Sequence, residues 1–253
     1  MKIEITKLPI FCLTCENESD NDSECIKRKS IKTEFELMNN GSGPEFINPI
    51  MIHNGEKIPK NKSGSSGFIR MIESGLMKQI PGKPFIPFII IEDDVSFFSD
   101  ASKSRNICIP EDTDILYIGL SCCSMNATSF HYKNYYESVE NPELVRIKHM
   151  LASHGLIICS PLGAAALQRT MMETWFSETP WDVPMAYIQP YYHIYALREP
   201  LVYQNETRGG DSSCTRIILH DNGNNNNNND NLLPNEYITC ELATIFLPDK
   251  RLV

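Results

Sequence analysis

FIIIEDDVSFF, Phe88 to Phe98, runs four apolar residues, Phe88 to Ile91, straight into three carboxylates, Glu92, Asp93 and Asp94. An unbroken aromatic and β-branched run is the composition of a strand covered on both faces, as central strands of α/β sheets are. The charges begin where such a strand leaves the core, and in open α/β sheets ligands sit at that carboxyl end. Three adjacent anions repel one another in a low-dielectric crevice, so a bound divalent cation is an economical explanation for them. Hard oxygen donors suit Mg²⁺ or Mn²⁺. Side chains alternate along an extended backbone, which sends Glu92 and Asp94 one way and Asp93 the other. A one-apart pair can then reach metal and substrate together. The competing reading is a solvated turn at a strand end.

Working outward, Ile115 to Leu120, preceded by Asp114, and Leu156 to Cys159 have the same strand composition. The latter feeds Ser160-Pro161, an N-cap followed by proline at the first helical position, and then Ala164, Leu167, Met171 and Trp175 at helical spacing. Upstream, Leu8 to Cys15 reads as a short strand opening into the polar stretch Glu16 to Asp22. Phe46 to Glu56 reads as another, with Pro49 near its start and a turn at Asn54-Gly55. Ile69, Ile72, Leu76 and Ile80 predict a helix with Ser65 or Ser66 as N-cap and Pro81-Gly82 as stop. Strands alternating with helical patterns predict an α/β domain, a mostly parallel sheet flanked by helices, to which Leu201 to Gln204 and Tyr237 to Leu247 could add antiparallel edges. The tract Asp221 to Asn231 has no apolar residue with which to offset the entropy of ordering, and it is expected to be a disordered insertion. The expected organisation is one domain over residues 1–220, the Asn-rich insertion over 221–231, and a C-terminal segment, 232–253, packing on the same domain.

The chain has 253 residues, with 32 Asp and Glu against 23 Lys and Arg, for a formal charge of -9. That balance argues against a general nucleic-acid or anionic-membrane binder. No apolar run approaches the roughly 20 residues of a membrane helix, and the first twenty residues lack an apolar secretion signal, so a cytoplasmic protein without a transmembrane segment is expected. Nine cysteines, an odd number without a regular framework, are expected to be reduced thiols. Cys12-x-x-Cys15 followed by Cys25 has no matching second pair, which weakens a zinc reading. No G-x-x-x-x-G-K-[ST] or G-x-S-x-G occurs, so a P-loop enzyme or a serine hydrolase has no local support.

Six segments in order resemble the family 25 glycosyltransferases, which include lipopolysaccharide and procollagen galactosyltransferases. They are PIFCLT at 9–14, FIIIEDDVSFF at 88–98, DILYIGLS at 114–121, HGLIICSPLGAAAL at 154–167, WDVP at 181–184 and ALREPLVYQ at 196–204. The resemblance runs from about residue 8 to about residue 213. It implies a GT-A fold and the transfer of a hexose, galactose or glucose, from a UDP-sugar to a hydroxyl with inversion at the anomeric carbon. The acceptor would be a glycan, a lipid-linked or a protein hydroxyl, and the cofactor Mn²⁺ or Mg²⁺. By position, Asp94 would bind the metal, with Asp93 beside it, and Glu92 would meet the ribose or sugar. Leu13, Thr14 and Gln204 would line the donor, and Asp182 would act as base. His193 or Asp211 would supply a third metal ligand, with His154 a weaker candidate. His193 among its tyrosines also reads as a packed core imidazole, and Asp182 as a cap before Pro184. Trp175, Phe176 and Trp181 read as core packing or as an acceptor platform. Relatives tend to have Asn-Leu where this chain has Cys12-Leu13, a departure that favours the alternative of a catalytically inactive module binding a nucleotide sugar or a partner.

Overall fold

The computed structural model describes residues 1–14, 22–38, 43–98, 106–121, 123, 136–177, 179–210 and 215. Along the chain the strands and helices are β1 Lys2–Glu4, β2 Ile10–Leu13, α1 Asp22–Met38, β3 Glu45–Ile47, β4 Ile52–His53, β5 Glu56–Lys57 and α2 Lys60–Met77. There follow β6 Phe88–Glu92, β7 Val95–Phe97, β8 Asn106–Cys108, β9 Ile115–Tyr117, β10 Tyr136–Ser138, β11 Leu144–Ile147 and β12 Gly155–Ile158. The last are α3 Pro161–Ser177, α4 Asp182–Ile188, β13 Ile194–Leu197 and β14 Val202–Gln204. The Asn-rich tract, the segment from 232 to 253 with its candidate strand Tyr237 to Leu247, and Cys15 lie outside the described residues.

Eight strands form one sheet in the order β10-β11-β13-β9-β12-β6-β2-β3. The α/β class holds, but the expectation of a mostly parallel sheet does not. Only β13 with β9, β6 with β2, and β2 with β3 run parallel, while β12 is antiparallel to both of its neighbours. Parallel neighbours need a crossover, usually helical, and none of the described residues between β6 and β12 forms a helix. The strand Leu201 to Gln204 does pair antiparallel, as β14 with β7, though in a separate two-stranded ribbon.

The sheet is covered on both faces, as the Phe88 to Ile91 run requires. Phe88 and Ile90 belong to a core with Phe68, Met71 and Ile72 of α2, Leu167 and Met171 of α3, and Met185 of α4. Ile89 and Ile91 face the opposite core, with Ile31 and Phe35 of α1, Ile3 of β1 and Ile107 of β8. The helix α2 begins earlier than its apolar period suggests, after Pro59. Ser65 and Ser66 therefore sit inside it, and their hydroxyls donate back to the carbonyls of Lys62 and Ser63. It ends at Met77, before the Pro81-Gly82 stop, and leaves Ile80 exposed. Gly75 has a packing reason: a Cβ there would come 2.5 Å from Cε2 of Phe88. The α3 start is as expected, with the Gly163 N–H donating to Ser160 Oγ at 2.9 Å. Asn54 and Gly55, with φ of 52° and 82°, make the tight turn between β4 and β5.

Candidate functional site

The strand β6 ends at Glu92, and Asp93-Asp94 form the turn into β7. Parallel pairing sets Leu13 of β2 opposite Glu92, with Thr14 buried just beyond it and its N–H donating to the Ile47 carbonyl at 3.0 Å. Antiparallel pairing sets Gln204 of β14 opposite Val95, from where Nε2 donates to Asp94 Oδ2 at 3.2 Å. The loop after β14 grips the same turn from behind. The Asn205 N–H donates to the Asp94 carbonyl at 2.6 Å, and Asn205 Nδ2 donates to Ser96 Oγ at 2.7 Å. Buried Arg208 donates to the Val95 carbonyl and reaches α1, meeting Ser30 Oγ at 2.6 Å and Glu34 Oε2 at 2.8 Å. Glu34 also accepts the Phe97 N–H at 2.7 Å. Glu34 therefore pairs with the Arg208 cation at the back of the turn.

On the other side of Glu92, Ser153 Oγ donates to Oε1 and accepts the Trp181 indole N–H at 2.9 Å. Trp181 immediately precedes α4, whose first residue is Asp182. Burial, then Asp94, Asp93 and Asp182, push the Glu92 carboxyl up to about 8, against the opposing hydrogen bond from Ser153. Burial also raises Asp182, resisted by hydrogen bonds from its own N–H and that of Val183. Burial, Asp93 and Asp94 hold the Cys12 thiol well above its usual range, with Arg28 pulling the other way. Burial and neighbouring carboxylates thus act together on Glu92, and perturbation of that kind is a common mark of a functional site.

These donors suit a hard cation in one particular way. Among the described residues no three His, Cys, Asp or Glu side chains gather closely enough to cage an ion unaided. One or two carboxylates that share Mg²⁺ or Mn²⁺ with substrate phosphates need no such cage. The repulsion that raises Glu92 is what a cation beside Asp93 and Asp94 would relieve.

The fold brings Leu13, Thr14, Glu92, Asp93, Asp94, Asp182 and Gln204 to one end of the sheet. His193 is not among them. It precedes β13, whose Ile194 lies level with Ile115, Ile158 and Phe88, so it stands at the end of the sheet where β6 begins, whereas Glu92 ends β6. There it is exposed and pairs with Asp112 Oδ2 at 3.2 Å, so it is neither a ligand of the triplet nor a core imidazole. His154 is buried beside Gly119, and burial lowers it to about 4, which makes it a neutral core imidazole. Asp211 lies outside the described residues. Trp181 packs on Phe68 with centroids 6.1 Å apart, whereas Phe176 is 76 % exposed and Trp175 meets His53 edge-on. Sequence reasoning missed Ser153, Asn205, Arg208 and Glu34. Ser153 directly precedes the matched HGLIICS segment and Asn205 directly follows PLVYQ, but only the pairing of distant strands shows what they touch.

No model of a known protein family matches the chain, and no curated protein matches it.

Proposed function

We propose that the chain is a metal-dependent glycosyltransferase moving a hexose, galactose or glucose, from a UDP-sugar to a hydroxyl acceptor with inversion. The observation that carries this reading is the convergence of Asp182 with the Glu92-Asp93-Asp94 turn and Gln204 across the carboxyl end of β6. A crevice of this kind has acids on two sides with different tasks.

Asp94, with Asp93 beside it, would hold Mn²⁺ or Mg²⁺ against the two phosphates of the donor. The ion supplies charge that offsets the negative charge gained by the UDP leaving group. Gln204 fixes the orientation of Asp94 through its amide. Glu92 can meet a ribose or sugar hydroxyl through the carboxyl oxygen that Ser153 does not occupy. Leu13 and Thr14 form the adjoining wall, where the nucleoside would lie. Asp182 takes the acceptor proton as the acceptor oxygen bonds to the anomeric carbon. The bond from that carbon to the UDP oxygen breaks, and its electron pair leaves with UDP. The raised position of Asp182 makes it a better proton acceptor than an exposed aspartate.

A donor panel tests this: UDP release is measured with each UDP-hexose and Mn²⁺, with and without chelator. Release with a galactose or glucose donor, abolished by chelation, is the expected result. Release that survives chelator overturns the metal role, and a protein that binds UDP-sugar yet releases no UDP with any hydroxyl acceptor is the inactive binding module instead.

A further inference from the structure

Ser153 bridges Glu92, at the end of β6, and Trp181, at the start of α4. A serine hydroxyl has one proton to give and lone pairs to receive, and here both are used: it donates to Glu92 Oε1 and accepts the Trp181 N–H. The indole is held from its other side by α2, where a Cβ at Gly64 would come 2.3 Å from Cζ3 of the ring. Trp181 is followed at once by Asp182, so the seat of the indole sets where α4 begins. The far end of α4 is tied to the same short strap of chain. Gln189 Oε1 accepts the Met150 N–H at 2.7 Å, and its Nε2 donates to the Met150 carbonyl at 2.8 Å. The strap from Met150 to Ser153 therefore grips α4 at both ends and meets Glu92 through Ser153.

We infer that Ser153 is a positioning residue that registers the helix carrying Asp182 against the donor-side Glu92, so that engagement of a nucleotide at the acidic turn is felt at Trp181. This rests on the glycosyl-transfer reading above. A displacement of about 1 Å between base and reacting centre is enough to slow a reaction by one to two orders of magnitude, which is the size of effect this bridge guards against.

The test uses the full chain with Trp175→Phe, so that Trp181 is the remaining tryptophan, and adds UDP with Mn²⁺. Trp181 emission is expected to change on UDP addition, and Ser153→Ala is expected to abolish that change while the calorimetric Kd for UDP stays within about threefold. In turnover, Ser153→Ala lowers kcat about tenfold with donor KM held within about threefold. Trp181→Phe removes the N–H together with part of the ring and should reproduce the kcat loss, as should Gly64→Ala, which crowds the ring. An emission change and kcat that both survive Ser153→Ala overturn the inference, as does UDP binding to the Trp175→Phe chain with no emission change. Failure of the underlying reading is distinguishable: UDP with Mn²⁺ then gives no heat with the unsubstituted protein, and the inference falls with it.

Discussion

The two ends of the sheet's strands each carry acids, and they use them in opposite ways. At the end where β9 begins, buried Asp114 has a donor on each oxygen: Ser160 Oγ at 2.6 Å on one and the His193 N–H at 3.1 Å on the other. Ser160 in turn caps α3, so this carboxylate locks a helix start to two strands. At the end where β6 finishes, Glu92 accepts a hydrogen bond from Ser153 and is raised by burial and by three carboxylates, Asp94, Asp93 and Asp182. A carboxylate saturated by neutral donors is scaffold. Carboxylates left facing one another cost stability, and a fold keeps them where something else must bind.

The sharpest way to break that contrast is Asp94→Ala. It should cut UDP release by about a hundredfold or more, the scale of losing a principal electrostatic group, with a melting temperature near that of wild type. Asp114→Ala should do the reverse. It leaves two donors unmatched, so urea denaturation should show a loss of about 3 kcal/mol, while UDP affinity stays unchanged in the folded fraction. Glu92→Gln probes the stored repulsion through pH. The folded-state position of Glu92, about 8, lies above its ordinary 4.5, so its penalty is absent below pH 4.5 and builds as pH rises toward 8. At pH 8 the variant should be more stable than wild type by up to about 4 kcal/mol, with the gap closing toward pH 4.5 in parallel denaturation series. The smallest effect belongs to His193→Ala. Its partner Asp112 and the imidazole are 58 % and 48 % exposed, so stability should move by less than about 0.5 kcal/mol and Mn²⁺ dependence not at all.

The sequence announced the middle of this fold more clearly than its edges. The run from Phe88 to Ile91 called for cover on both faces, and the two cores divide its residues alternately. Ser160-Pro161 marked the α3 start because capping chemistry is local. Strand direction was not legible: β12 has the same composition whichever way it runs, and its antiparallel pairing on both sides depends on connections the pattern does not encode. The α1 helix was missed because Ile31 and Phe35, the fully buried apolar side chains among its described residues, sit in an otherwise charged stretch. At the site, the acids and Gln204 could be named from the chain. Ser153, Arg208 and Glu34 could not, since each acts on a residue between 61 and 174 positions away. His193 failed for the matching reason. Its place in chain order pointed toward the acids, but the register of β13 with β9 puts it at the opposite end of the strands.

Calorimetric titration of UDP into the full chain, with Mn²⁺ and then with chelator, asks most directly why the fold retains its acidic turn. The expected result is saturable binding that requires Mn²⁺ and vanishes in Asp94→Ala. Binding of equal strength in chelator, or none under either condition, would contradict a diphosphate held through a cation at Asp93 and Asp94.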